Sequence, residues 1–66
     1  MTITLNGTKH DGGGAATVGE LLRALGLDGR PVLVERNGTA LLPGERDATP
    51  LDEGDRLELV ELAAGG

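Results

Sequence analysis

Two Asn-Gly dipeptides, Asn6-Gly7 and Asn37-Gly38, constrain this chain more than any other feature. Asn-Gly between alternating apolar residues is the strongest short-range signal for a two-residue β-hairpin, because both turn positions need positive φ. Ahead of the first, Met1-Thr2-Ile3-Thr4-Leu5 alternates, with Met1, Ile3 and Leu5 facing inward. Thr8-Lys9-His10 is the returning strand, and Asp11-Gly12-Gly13-Gly14 is a loop with no P-loop Lys-Ser/Thr after it. Ahead of the second, Val32 and Val34 alternate with Leu33 and Glu35 from Pro31 to Arg36, and Thr39 to Leu42 returns until Pro43-Gly44 breaks it. A lone hairpin is marginal in water, so the two must share a lid.

One helix supplies it. Thr17 and Glu20 have capping-box spacing, each side chain placed to satisfy an otherwise orphaned backbone N–H. Val18, Leu21, Leu22 and Leu25 form a single apolar stripe, predicting a helix from about Val18 to Leu25. Gly26 follows where a left-handed residue ends a helix, and Leu27 where a Schellman motif makes its apolar contact. Glu45 to Ala48 is a charged connection with room for a single helical turn. Asp52-Glu53-Gly54-Asp55 is a tight turn, and Arg56 to Leu62 is the last strand, with Leu57 and Leu59 facing inward. The order β-β-α-β-β-β, with one helix as lid, predicts a two-layer α+β fold. Its long crossover lets the first and last strands pair in parallel. That is the ubiquitin-like β-grasp roll: a mixed five-stranded sheet in one domain over residues 1–62, followed by a tail over 63–66.

Composition removes whole classes of function. The 66 residues contain no Phe, Tyr, Trp or Cys. There is thus no disulfide, no thiolate metal site and no thiol nucleophile. No run approaches the ~20 apolar residues of a membrane span and no signal peptide appears, so a cytoplasmic protein is expected. A net charge of −5 argues against nucleic acid and suits a basic or mixed protein surface. The one histidine, His10, lies on a short polar strand with no orienting partner or nucleophile in view, so it reads as solvated. Asp52, Glu53 and Asp55 crowd one turn but lack the spacing of a calcium loop, and read as solvated turn carboxylates.

The remaining signal is the end, Gly65-Gly66, directly after a strand. Two residues without Cβ can thread a narrow channel toward a partner's nucleotide site. The sharp reading makes the Gly66 carboxylate the reactive group. The plain readings are a cut end, a cloning scar or a floppy tail.

Several segments together resemble a known family. Ile3-Thr4-Leu5-Asn6-Gly7, Thr17-Val18-Gly19-Glu20-Leu21-Leu22, Val32-Leu33-Val34-Glu35-Arg36-Asn37-Gly38 and Thr49-Pro50-Leu51-Asp52-Glu53-Gly54-Asp55 resemble the ThiS/MoaD-type sulfur carriers in order, as do Leu57-Glu58-Leu59-Val60 and Gly65-Gly66. The match is closest to the ThiS branch, which serves thiamine thiazole biosynthesis; MoaD-like carriers, and carriers for cysteine or tRNA thiolation, share the tail. The chain departs from the pattern in the glycine-rich Asp11–Ala16 loop and in Thr39 to Arg46. The alternative from another class is a non-covalent β-grasp binding module with an incidental Gly-Gly end.

The resemblance implies a carrier rather than an enzyme, binding no cofactor itself. A ThiF-like (E1-like) adenylyltransferase would use ATP and magnesium to adenylate the Gly66 carboxylate. A persulfide from a cysteine desulfurase or rhodanese would replace AMP, and a ThiG-like thiazole synthase would consume the thiocarboxylate. Gly65 would thread the channel, and Leu62 to Gly66, mobile in the free chain, would reach about 17 Å. Strand alternation turns Leu33, Val60 and Leu62 outward, which predicts a greasy docking patch rimmed by Glu58, Glu61 and Arg56. A bulge would instead turn Val60 into the core.

Overall fold

The computed structural model describes residues 1–63; the tail positions 64–66, Gly65 and Gly66 among them, lie outside the described residues. Strands β1 (Thr2–Leu5) and β2 (Thr8–Asp11) precede helix α1 (Val18–Ala24). Strands β3 (Val32–Arg36) and β4 (Thr39–Leu41), a 3₁₀ helix over Pro43–Ala48, and β5 (Arg56–Glu61) follow. The sheet order is β2-β1-β5-β3-β4, with β1 and β5 parallel and the other neighbours antiparallel. This is the β-grasp arrangement, and it puts the last strand in the middle of the sheet.

Both Asn-Gly turns form with positive φ at each position, +49° and +81° at Asn6 and Gly7, +51° and +86° at Asn37 and Gly38. The two asparagines also do something an aspartate could not, since an amide both donates and accepts. After Leu5 the backbone turns away, and the Asn6 side chain takes over the next rung: its oxygen accepts from Leu59 N–H at 2.7 Å, and its nitrogen donates to Leu59 O at 3.1 Å. On the other side Asn37 Oδ1 accepts from Arg56 N–H at 2.9 Å. Strand β5 is therefore clamped from both flanks.

Helix α1 begins at Thr17, whose hydroxyl accepts from Glu20 N–H at 3.1 Å. The reciprocal half of the capping box differs from expectation: the Glu20 carboxylate accepts from the Thr17 hydroxyl at 3.4 Å, not from its N–H. The helix ends in a full Schellman motif, with Leu27 N–H on Leu22 O, Gly26 N–H on Arg23 O, and Gly26 at φ +75°. Val18, Leu21 and Leu22 pack with Ile3, Val32, Val34, Leu51 and Leu57 in one buried cluster. Met1, expected inward, is exposed beside Gly12 instead: its carbonyl accepts from Gly12 N–H at the mouth of the glycine loop. Gly19 is the point where the 3₁₀ helix meets α1; a Cβ there would lie 1.8 Å from Asp47 Oδ1 and 3.2 Å from its Cα.

Candidate functional site

Strand β5 carries the chain out of the sheet. Its ladder with β3 pairs Leu33 with Val60, Glu35 with Glu58 and Val32 with Glu61. Cross-strand partners share a face, so Leu33 and Val60 lie side by side on the face opposite the helix. They are 56% and 54% exposed, and no bulge turns Val60 inward. Leu62 is 45% exposed just beyond the strand end. Its N–H donates to Pro31 O at 2.7 Å, so Leu62, expected within the mobile tail, is held in register with β3.

Beside the apolar pair, Glu35 and Glu58 stand directly opposite each other on the same exposed face. Like charges placed so are unfavourable. The arrangement leaves an apolar strip bordered by two glutamates that form no ion pair among the described residues. Arg56, two residues before Glu58 on β5, shares this face. Glu61 does not belong to the rim. Its register partner is the buried Val32, so it points to the helix side, where it ion-pairs with Arg30.

Another carboxylate of the last turn is also placed otherwise than expected. Asp55 is buried rather than solvated, at 6% exposure. It accepts from Arg36 Nε at 2.8 Å, Asn37 Nδ2 at 3.1 Å and Asp52 N–H at 2.8 Å. Burial alone would raise its pKa, but the Asp52 N–H, the Arg36 and Asn37 bonds and the Arg36 charge outweigh it and hold the carboxyl below its ordinary range. A depressed value means the stabilisation is fully present above about pH 4 and fades as pH falls through the native value. Asp55→Asn is thus expected to cost roughly 1.5–3 kcal/mol at pH 7, the range for hydrogen bonds to a charged group. That gap should narrow as urea titrations are repeated down to about pH 2. A gap independent of pH would remove the charge from the account. Asp11 is lowered as well, by the Gly13 N–H first and by the N-terminal ammonium.

Glu53 holds the start of β1, accepting from Thr2 N–H at 3.0 and 3.2 Å. Among the described residues no group of three His, Cys, Asp or Glu side chains is placed to hold a metal, and no helix is long and apolar enough to cross a membrane. His10 is half-buried, opposite Ile3 across the β1–β2 ladder. Two surface residues near the strand exit escaped the sequence reading: Leu42, at 68% exposure, and Arg46. Pro43, which stops β4 and turns the chain into the 3₁₀ helix, was the available signal for both.

Comparison with known proteins decides the family. The sequence matches the ThiS family over residues 3–66. The chain belongs to the ThiS family. The crystal structure of the thiamine biosynthesis protein ThiS from Geobacter metallireducens superimposes with a TM-score of 0.81 at 38% identity, covering 100% of both chains. The solution structure of a thiamine biosynthesis protein from the same organism gives 0.80 at 38% identity, covering 100% of this chain and 88% of that one. A thiazole synthase of Paramagnetospirillum magneticum is 35% identical over 66 residues; the chain spans 20% of its length. The ThiS match and the solved neighbours agree with a ThiS-like sulfur carrier, and the glycine pair falls within the matched span.

Proposed function

We propose that this ThiS-family chain carries sulfur for thiazole formation as a thiocarboxylate on Gly66 and has no active site of its own. The observation that carries the reading is the family match running through Gly66, on a chain whose central strand ends at Glu61, five residues before Gly66. A carboxylate resists nucleophiles because its charge is delocalised. An E1-like adenylyltransferase, using ATP and magnesium, joins the Gly66 carboxylate to AMP and releases pyrophosphate. The terminal sulfur of a desulfurase or rhodanese persulfide then displaces AMP to form an acyl persulfide. A second thiol attacks its S–S bond, leaving as a disulfide with the donor cysteine and releasing the thiocarboxylate. The resulting thiocarboxylate is a soft, ionised sulfur nucleophile. The thiazole synthase relative with a segment like this chain supports a thiazole synthase as consumer. From Ala63 onward four residues extend at most about 14 Å, enough to enter a partner's cleft while the sheet docks outside it.

Leu33, Val60 and Leu62 form the docking strip. Glu35 and Glu58 beside it favour a basic partner surface, which steers encounter. Gly65 passes the channel because a Cβ would widen the tail. The test is intact mass after incubation with the cognate activator, ATP, magnesium, a persulfide donor and a thiol. An oxygen-to-sulfur exchange at the C-terminal residue is expected; an unmodified carboxylate throughout would refute the reading. Val60→Asp, on the exposed strip, should weaken activator binding at least tenfold while shifting the melting temperature little. Unchanged binding by calorimetry would place the docking surface elsewhere.

A further inference from the structure

Every side-chain amide in the chain precedes a glycine: Asn6 and Asn37 are the only two Asn, and there is no Gln. Asparagine is the less durable for it. Glycine has no side chain to shield its own nitrogen, which in a free backbone reaches the preceding Cγ readily. In that reaction the Gly N–H gives up its proton and the nitrogen attacks Cγ. A five-membered succinimide closes as the Cγ–Nδ2 bond breaks, and ammonia leaves with the proton. Water then opens the ring at one of its two carbonyls, giving aspartate or isoaspartate. Nothing is oxidised or reduced, and no catalyst is needed.

The fold occupies the same atoms. Asn6 donates its N–H to Leu57 O at 2.9 Å, and both atoms of its side-chain amide are bonded to Leu59. Asn37 donates its N–H to Arg56 O at 2.8 Å. Its Oδ1 accepts from Arg56 N–H at 2.9 Å and its Nδ2 donates to Asp55 Oδ1 at 3.1 Å. Closing the ring at either site requires Cγ to turn toward the following glycine and give up both side-chain bonds. We propose that Asn6-Gly7 and Asn37-Gly38 are deamidation sites that the native structure keeps closed, and that reaction at either one bars the chain from refolding. A carboxylate has no N–H to donate. At Asn37 it would set an oxygen against the buried Asp55 carboxylate, and like charges so close cannot both stay ionised cheaply. At Asn6 it would face Leu59 O with acceptor against acceptor. The isoaspartate form adds a backbone atom to a two-residue turn whose conformation sets the strand register. A 66-residue core without aromatic residues opens often enough for such a lesion to accumulate. Each opening therefore exposes the chain to permanent loss, whatever the chain carries.

The test follows the intact mass of the chain in warm, mildly alkaline buffer, folded in one sample and held in guanidinium chloride in another. A site that reacts only from an opened state is slowed by the scarcity of that state, so the folded sample should gain mass at least about tenfold more slowly. The gain should stop at two NH2-to-OH exchanges, since the chain has only two side-chain amides. Trypsin separates the sites, with Asn6 in the peptide Met1–Lys9 and Asn37 in Asn37–Arg46. Diluting the aged denatured sample into buffer and challenging it briefly with protease should leave only unmodified chains intact. The rate comparison uses the parent chain and needs no variant to fold. Equal rates in the two samples would overturn the proposal. Modified chains that survive the protease as well as unmodified ones would also overturn it, as would an Asn37→Asp chain with the parent's urea midpoint.

Discussion

Leu57→Ala is expected to leave most of the chain unfolded at 25 °C. Leu57 is fully buried in the central strand, where it opposes Leu5 on β1 and Arg36 on β3. Removing a buried leucine side chain costs about 2–5 kcal/mol, because the walls relax only partly around the cavity. A core of this size leaves roughly 3–5 kcal/mol in total. With no aromatic residue anywhere in the sequence, intrinsic fluorescence is silent and the readout is a urea titration followed by far-ultraviolet circular dichroism. Leu33→Ala is the matched control: the same atoms removed from an exposed position should cost under about 0.5 kcal/mol. A Leu57→Ala chain that unfolds at the parent's urea midpoint would put the core somewhere else.

Deleting Gly66 is expected to abolish ATP-dependent adenylation and leave stability unchanged. Strand β5 ends at Glu61, and the last backbone bond to the body described is that of Leu62 to Pro31. Among the described residues, nothing in the hydrophobic cluster lies beyond them. On the carrier reading proposed above the loss is chemical: the activator must meet a carboxylate at a fixed distance from the docked sheet, and a tail one residue short cannot deliver it. One residue added after Gly66 should fail for the same reason, and Gly65→Val nearly as completely, by widening the tail. Pyrophosphate exchange by the cognate activator measures the step. Conversion of the Gly66-deleted chain to an acyl-adenylate would sink the carrier mechanism.

Much of the fold was legible because its signals are local. Each Asn-Gly pair set a turn, Thr17 and Gly26 bounded the helix, and the leucine stripe between them left one way to cover a sheet. The outward positions of Leu33 and Val60 followed from alternation alone, since neither β3 nor β5 carries a bulge. What could not be read depends on residues distant in sequence. Asp55 sits in a turn whose composition suggests solvent, yet Arg36, 19 residues earlier, supplies the counter-ion that lets it be buried. Glu61 looked like part of the exposed rim until its register with Val32 turned it toward Arg30. Arg46 acquires its environment only when the 3₁₀ helix lies against α1 at Gly19.

The parallel pairing of β1 with β5 bears on how the body responds to force. The chain enters the sheet at one end of β1 and leaves it at the opposite end of β5, so traction on the tail against the N-terminal strand runs along both strands. The rungs of that ladder, Thr4 to Asp55 and Asn6 to Leu57, are then loaded together in shear instead of opening one after another. The Asn6 side chain adds two more to the same row through Leu59. On the proposed carrier reading, a partner drawing the tail into its cleft would pull against a strand locked lengthwise at the centre of the sheet, the direction in which the body is best braced against unravelling.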